Sequence, residues 1–331
     1  MHRSRFRLGA AIAVAVAALL SAAGSAVAAT HFGDLRVVTH TGRTLAEFRQ
    51  YTGTTKVRST KQAHDCFGTR SSGKRYRLHG ANALGILKDA LASDNALRPL
   101  VLSDAFVDDG FGLGVCSIGG FETVGFSYWD LIRNDLTATT GAEFVPVRNG
   151  DDVLWYFTSG SEPSSGPREL VLKGPASKSP GEPFTVTVVR FTAQGKSSPA
   201  GGVGVFAGSR RLGTTNADGK LRVHLSSSAV LDATGTPNDI PSNHVAVCVS
   251  ANGTRCPDAH GKRIYGSRHP DRIRGTRGWD RIAARGGGDV INLRTGGRDR
   301  VKCGAGRDRV VLDRGDRNDW IGSSCERVSR R

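Results

Sequence analysis

After its first twenty residues the chain has no further apolar run of membrane-spanning length, and no hydrophobic tail precedes Arg330 and Arg331. No second spanning helix is expected, since the hydrocarbon core asks for about 20 consecutive apolar residues. No Cys-x-x-Cys pair or Cys/His cluster has zinc-ligand spacing, so the six cysteines do not point to a structural zinc. Ser226, Ser227 and Ser228 stand in a row without a nucleophile elbow around them. The nearest approach to a polar constellation is His64, Asp65 and His79, and their spacing does not set them apart from exposed loop residues. A protein that is not an enzyme is expected.

What is present begins with Arg3, Arg5 and Arg7, followed by an apolar run over 10–20 and then small residues. Ala26-Val27-Ala28 or Val27-Ala28-Ala29 supplies the small-x-small pattern of a cleavage site, so residues 1–29 are expected to be a secretory signal peptide. That predicts an extracellular or cell-surface protein with no transmembrane segment. The cysteines fall into three local pairs, Cys66 with Cys116, Cys248 with Cys256 and Cys303 with Cys325, and in an exported chain these read as disulfides. The formal net charge is +16, three of it from the leader arginines, and 261–331 carries 19 Lys and Arg against 9 Asp and Glu. Such a field favours anionic polymers, which outside a cell means wall polymers, acidic polysaccharide or lipid headgroups rather than nucleic acid. A solvated arginine-rich surface fits the same count. The ligand itself is not named by the sequence.

Without the leader about 300 residues remain, more than one core usually organises. The expected fold is mainly β and multi-domain: 30–160, a linker at 161–168 around Pro163-Ser164-Ser165-Gly166-Pro167, 169–257 and 258–331. In the first region only 83–92 has helical periodicity, with Asn82 as N-cap and Leu84, Leu87, Ala90 and Leu91 on one face. Strands are expected at 121–129 and 153–157, the second entered through Asn149-Gly150-Asp151. Trp129, Trp155 and Tyr156 are candidates for stacking on a flat ligand, with a place in the core as the alternative. In the second region 169–173, 184–191, 203–206, 220–225 and 244–249 alternate at strand period and predict a β-sandwich serving as a spacer.

The third region repeats. Asp271-Arg272-Ile273, Asp280-Arg281-Ile282, Asp289-Val290-Ile291, Asp299-Arg300-Val301 and Asp308-Arg309-Val310 recur every nine residues, with one interval of ten. This period is that of a parallel β-roll. Strand alternation sends the aliphatic inward and the preceding arginine outward, and the aspartates are expected in the turns. Residues 316–321 and Cys325-Glu326 read as an end cap.

These motifs carry three resemblances. The helix Asn-Ala-Leu-Gly-Ile-Leu-Lys-Asp-Ala, Tyr128-Trp129 and the run from Val147 to Trp155 resemble the transcobalamin-like C-terminal domain. That implies a β-grasp-like α+β fold and, as an alternative function, a cobalamin-like small-molecule carrier. The run Thr214-Thr215-Asn216-Ala217-Asp218-Gly219-Lys220 resembles the hairpin of bacterial immunoglobulin-like domains. The nine-residue repeats resemble RTX, haemolysin-type calcium-binding repeats, which implies calcium at Asp271, Asp280, Asp289, Asp299 and Asp308. Their leading Gly-Gly is degraded to Gly266-Ser267, Gly275-Thr276, Ala284-Arg285, Arg294-Thr295 and Cys303-Gly304. A roll held by inward aliphatics, Asp–Arg pairs and a disulfide is the alternative to one held by calcium.

Overall fold

The computed structural model describes residues 30–61, 66, 71–160, 166–251 and 260–331. The expected leader, the linker segment 161–165, His64, Asp65 and Cys256 lie outside them. The described chain is mainly β, with several sheets built around separate hydrophobic cores.

In the first lobe His31–Thr39 pairs antiparallel with Thr44–Thr52 and parallel with Asp151–Phe157, which pairs antiparallel with Trp129–Arg133. Alternation places Leu35, Val37, Val153 and Trp155 on one face of this sheet. There they meet Leu84, Ile86 and Leu87 of the helix Ala83–Ala90. The helix starts where the Asn82 side chain accepts the Gly85 N–H at 2.8 Å, and it ends two residues sooner than the periodicity predicts. The strand expected over 121–129 is broken. Phe121–Glu122 is followed by a turn through Gly125, at φ 61°, and pairing resumes at Trp129–Arg133. Val124 and Phe126, which read as alternate strand positions, are 63% and 84% exposed in that turn.

The opposite face of the same sheet meets the middle lobe. Val38, Ile132, Leu154 and Tyr156 pack with Ile240, so Tyr156 belongs to a seam between lobes. Arg36, buried on that face, donates to the Glu169 carboxylate and to the Pro241 carbonyl. Beside it Glu47 accepts the main-chain N–H of His244 at 2.9 Å and binds its imidazole. Burial drives the Glu169 carboxyl upward against the pull of Arg36.

The middle lobe has two five-stranded sheets, one including Arg168–Lys173 and Phe184–Phe191, the other Gly204–Ala207, Ala229–Thr234 and Val245–Val249. Leu170, Val186, Val205, Leu231 and Val247 fill one core between them. The turn after Thr214 departs from the expected hairpin. Arg210–Thr214 belongs to one sheet, whereas Lys220–Val223 pairs with Phe184–Phe191 in the other. The crossing is tight: a Cβ on Gly219 would stand 2.3 Å from the Val188 carbonyl oxygen.

In the repeat lobe successive copies alternate between two parallel sheets. His260–Tyr265, Trp279–Ala283, Arg300–Lys302 and Trp320–Ile321 form one; Arg272–Arg274, Val290–Asn292, Arg309–Leu312 and Arg327–Arg330 form the other. Two copies thus make one coil. Ile264, Ile282 and Val301 from one sheet face Ile273, Ile291 and Val310 from the other, all fully or almost fully buried. The inward aliphatics and outward arginines follow the expected alternation. Some stacked turns close tightly on glycine: a Cβ on Gly306 would lie 1.7 Å from the Gly287 carbonyl oxygen.

The repeat lobe continues the sheet of the first. Arg49 and Gln50 pair in parallel with Ile264 and Tyr265, so a single nine-stranded sheet runs from Trp320–Ile321 to Leu136–Thr137. Tyr51, 3% exposed, closes the end of the repeat core and donates to the Arg272 carbonyl at 2.9 Å. Arg285, held at φ 74°, reaches back to the Asp89 and Gly266 carbonyls and to Ser93. Cys66–Cys116 staples the first lobe and Cys303–Cys325 the far end of the repeats. These two disulfides are compatible with an extracellular protein. No helix among the described residues is long and apolar enough to cross a membrane.

Replacing Arg36 by Met leaves a buried carboxylate without its counter-charge, which costs about 3–5 kcal/mol. Urea unfolding at pH 9 should show that loss, shrinking below pH 8, since burial raises Glu169 to about 8 and a protonated carboxyl needs no counter-charge. A change under about 1 kcal/mol would mean that the seam does not depend on the pair.

Candidate functional site

Asp271, Asp289, Asp299 and Asp308 stand at the end of their turns, one residue before a strand, and Asp280 lies within Trp279–Ala283. Each lies two positions before its inward aliphatic and shares that side of the strand, so the carboxylates are buried in the lobe, 0–1% exposed. They form two stacks. In one, Asp271 N–H donates to Asp289 Oδ1, Asp289 N–H to Asp308 Oδ1 and Asp308 N–H to Glu326 Oε2, each at 2.8 Å. In the other, Lys262 N–H donates to Asp280 Oδ1 at 2.7 Å, Asp280 N–H to Asp299 Oδ1 at 2.8 Å and Asp299 N–H to Asp319 Oδ1 at 2.8 Å. Every carboxylate but that of Asp271, which heads its stack, therefore holds the main chain of the neighbouring coil. The expected Asp–Arg pairing is not what joins these aspartates: their partners are main-chain N–H groups.

The degraded Gly-Gly positions have a role in these stacks. Ser267 donates its N–H to Asp271 at 2.6 Å and its hydroxyl at 3.2 Å, and Thr276 donates both its N–H and its hydroxyl to Asp280. The first carboxylate of each stack is thereby satisfied on both oxygens. Further along, no hydroxyl reaches the second oxygen. Oδ2 of Asp289, Asp299, Asp308 and Asp319 is buried without a hydrogen-bond partner among the described residues. Asp319 and Glu326 complete the stacks, although sequence reading placed them in the end cap. Their separation from Asp299 and Asp308, 20 and 18 residues, is the length of one whole coil.

Burial, with like charges one coil away, raises the carboxyl of Asp289 to about 7 and of Asp299 to about 8. Burial likewise lifts Asp319 to about 6. Burial also raises Asp271 and Asp280, against the hydrogen bonds from Ser267 and Thr276. Among the described residues no three Asp, Glu, His or Cys side chains gather as a metal-ligating set. A calcium ion wants six to eight oxygens. One uncommitted carboxylate oxygen per level falls short of that without turn carbonyls or water.

With the aspartates inside, the outer faces are left basic. On the sheet shared with the first lobe, Arg263, Arg281, Arg300 and Trp320 stand in register across four strands, with Tyr265, Ala283 and Lys302 forming a second row two residues away. Arg263 is used at the lobe junction, bonded to Asp94 at 3.3 Å and stacked over Phe48. Arg281, Arg300 and Lys302 have no carboxylate partner among the described residues. They line a groove of about 610 Å³ with Tyr265 and Trp320.

Trp129 and Trp155 meet across a cavity of about 270 Å³, edged by the exposed rings of Phe111 and Tyr128; Tyr156 does not line it. Trp129 donates its indole N–H to the Phe121 carbonyl at 2.9 Å, while the buried indole N–H of Trp155 has no partner among the described residues. Both tryptophans also belong to the core, 7% and 2% exposed. A third space of about 750 Å³ opens where the lobes meet. Its charged walls are largely committed, Asp34 to Arg49 and Lys262, and Glu47 to His244. His79 is an exposed residue apart from all three spaces.

Comparison with protein-family models, curated proteins and solved structures found no match to the chain. The functional reading therefore rests on this geometry.

A carboxyl whose folded pKa lies above the unfolded value of about 4 binds more proton in the native state, so its stabilising contribution is complete below pH 4 and lost as pH rises through the folded value. The melting temperature should therefore fall as pH rises from 5, most steeply at pH 5–6 where Asp289, Asp299 and Asp319 all still hold protons in the fold, and level off above pH 8. Asp299→Asn should flatten the profile and melt above the wild type at pH 9. A wild-type profile level over this range would contradict buried, proton-holding stacks.

Proposed function

We propose that this chain is an exported binding protein that holds anionic polymers outside the cell on the basic surface of a repeat lobe of the RTX β-roll type. One observation carries the reading: the lobe's acids are inside and its arginines outside. Five aspartates that offset the formal charge of 261–331 are buried at 0–1% exposure, so the surface is more basic than the residue count suggests. The first two lobes would present this surface on a rigid mount, through the shared sheet and the Arg36–Glu169 seam. The two disulfides suit the oxidising compartment that export implies.

A second reading is favoured by the unpartnered Trp155 indole N–H, which lines an aromatic cavity of a size for one small ring system. It makes the first lobe a small-molecule carrier, as the transcobalamin-like resemblance implies. Calcium remains a proposal for the stacks, drawn to the orphaned Oδ2 atoms, of which those of Asp289, Asp299 and Asp319 belong to carboxyls raised by burial. If calcium binds there, adding it at pH 8.5 should restore the melting temperature lost on deprotonation.

The polymer reading is tested by titrating the full chain with polygalacturonate and polyphosphate between 50 and 300 mM salt. Log affinity should fall linearly with log salt, as counterion release from a multi-cation contact requires. Absence of binding to either polymer at about 0.15 M salt, where the Debye length is about 8 Å, would refute it.

A further inference from the structure

We infer that the groove on the outer face of the shared sheet is a site for an acidic polysaccharide, a single extended chain carrying ring carboxylates. This rests on the proposed polymer-binding function and narrows it to one face and one ligand chemistry.

The groove is linear because its lining residues come from successive parallel strands in register. Arg281 aligns with Arg300, and Arg300 with Trp320; two residues along, Tyr265 aligns with Ala283, and Ala283 with Lys302. From the Tyr265 strand to the Trp320 strand is three strand spacings, about 14 Å. Ala283 is the smallest residue in the row and opens the floor between Tyr265 and Lys302. The cations are held ready. Arg281 stacks on the Trp279 ring at 4.9 Å, which fixes its guanidinium on the outer face. Arginine's planar fork suits a carboxylate, which it can take in a bidentate pair.

Charge alone would accept any polyanion, and the rings make the choice. Trp320 is 52% exposed at one end of the groove, and Tyr265 lines the other. An aromatic face offers apolar area to the C–H face of a sugar ring, while the intervening cations meet its carboxylates. A polyphosphate chain has no ring to place there. The opposite sheet of the lobe has arginines too, at Arg272, Arg309 and Arg327, but the positions aligned with them include Val290 and no aromatic residue.

The experiment uses the full chain, with polygalacturonate as the probe and polyphosphate and oligo-dT as comparators. Three variants are compared with the wild type: Trp320→Ala, the exposed pair Arg300→Gln with Lys302→Gln, and a control pair on the other sheet, Arg272→Gln with Arg309→Gln. Melting temperature is followed for each. Trp320→Ala should weaken polygalacturonate roughly fivefold to tenfold, by the usual worth of ring stacking, and leave polyphosphate unchanged. The Arg300/Lys302 pair should weaken polygalacturonate at least tenfold and lower the salt slope by about 2, more than the control pair does. If both groove variants bind polygalacturonate like the control, the groove assignment fails while polymer binding stands. If the wild type binds neither polyanion, both fail. If oligo-dT binds more tightly and is the ligand that responds to Trp320→Ala, the polysaccharide assignment is overturned in favour of single-stranded nucleic acid.

Discussion

The parallel pairing of Thr44–Thr52 with His260–Tyr265 is the contact on which the architecture turns. A stacked-strand lobe has two exposed ends, each with unpaired main-chain groups and a view into the apolar interior. The sheet of the first lobe has an edge strand with the same problem. Here each deficiency answers the other: the edge strand receives its hydrogen bonds, and Tyr51 with Phe32 covers the end of the repeat core. Gln50, buried at the junction, donates to both the Tyr51 and Gly266 carbonyls, so the transition between lobes leaves its amide satisfied.

Charge is sorted along the same lines. In the strands the three-residue unit Asp-Arg-aliphatic places acid and aliphatic on one side and base on the other. Beyond Asp271 the acids act as stitches between coils, each accepting a main-chain N–H from the preceding level. This leaves a lobe that is cohesive inside through buried carboxyls, of which Asp289 and Asp299 are raised to about 7 and about 8, and electrostatically one-sided outside. Inner cohesion and an outer face of arginines come from a single sequence pattern.

Much of this was legible in the residues. The nine-residue period, inward Ile282 and Val301, outward Arg281 and Arg300, the helix with its Asn82 cap and the pairs Cys66–Cys116 and Cys303–Cys325 all follow from spacing. The aspartates read as turn residues, and four of them do stand just before their strands; what that reading lacked was their burial, which parity with the aliphatic already implied. The break at Gly125 was hidden because Val124 and Phe126 mimic strand alternation while facing solvent. The sheet switch at Gly219 was hidden because a turn sequence does not say which strand its second arm will join. Tyr156 was read as a ligand contact, since an aromatic residue in a strand gives no sign of which face a second lobe will cover. The junction of first and last lobes was beyond reach, because nothing local in Arg49 or Gln50 announces a partner more than two hundred residues away.

That distance has a consequence for how the protein comes into being. The partners Gln50 and Gly266 are 216 positions apart, and the intervening chain includes a complete two-sheet lobe with its own core. During synthesis the strand Thr44–Thr52 emerges well before His260–Tyr265, the strand that covers its edge. Such edges are where chains join their neighbours by mistake, and long-range pairings are formed late. Order of emergence is thus written into the topology. The edge that the first lobe offers is the one on which the first repeat strand pairs, and Cys303–Cys325 lies at the far end of the repeats.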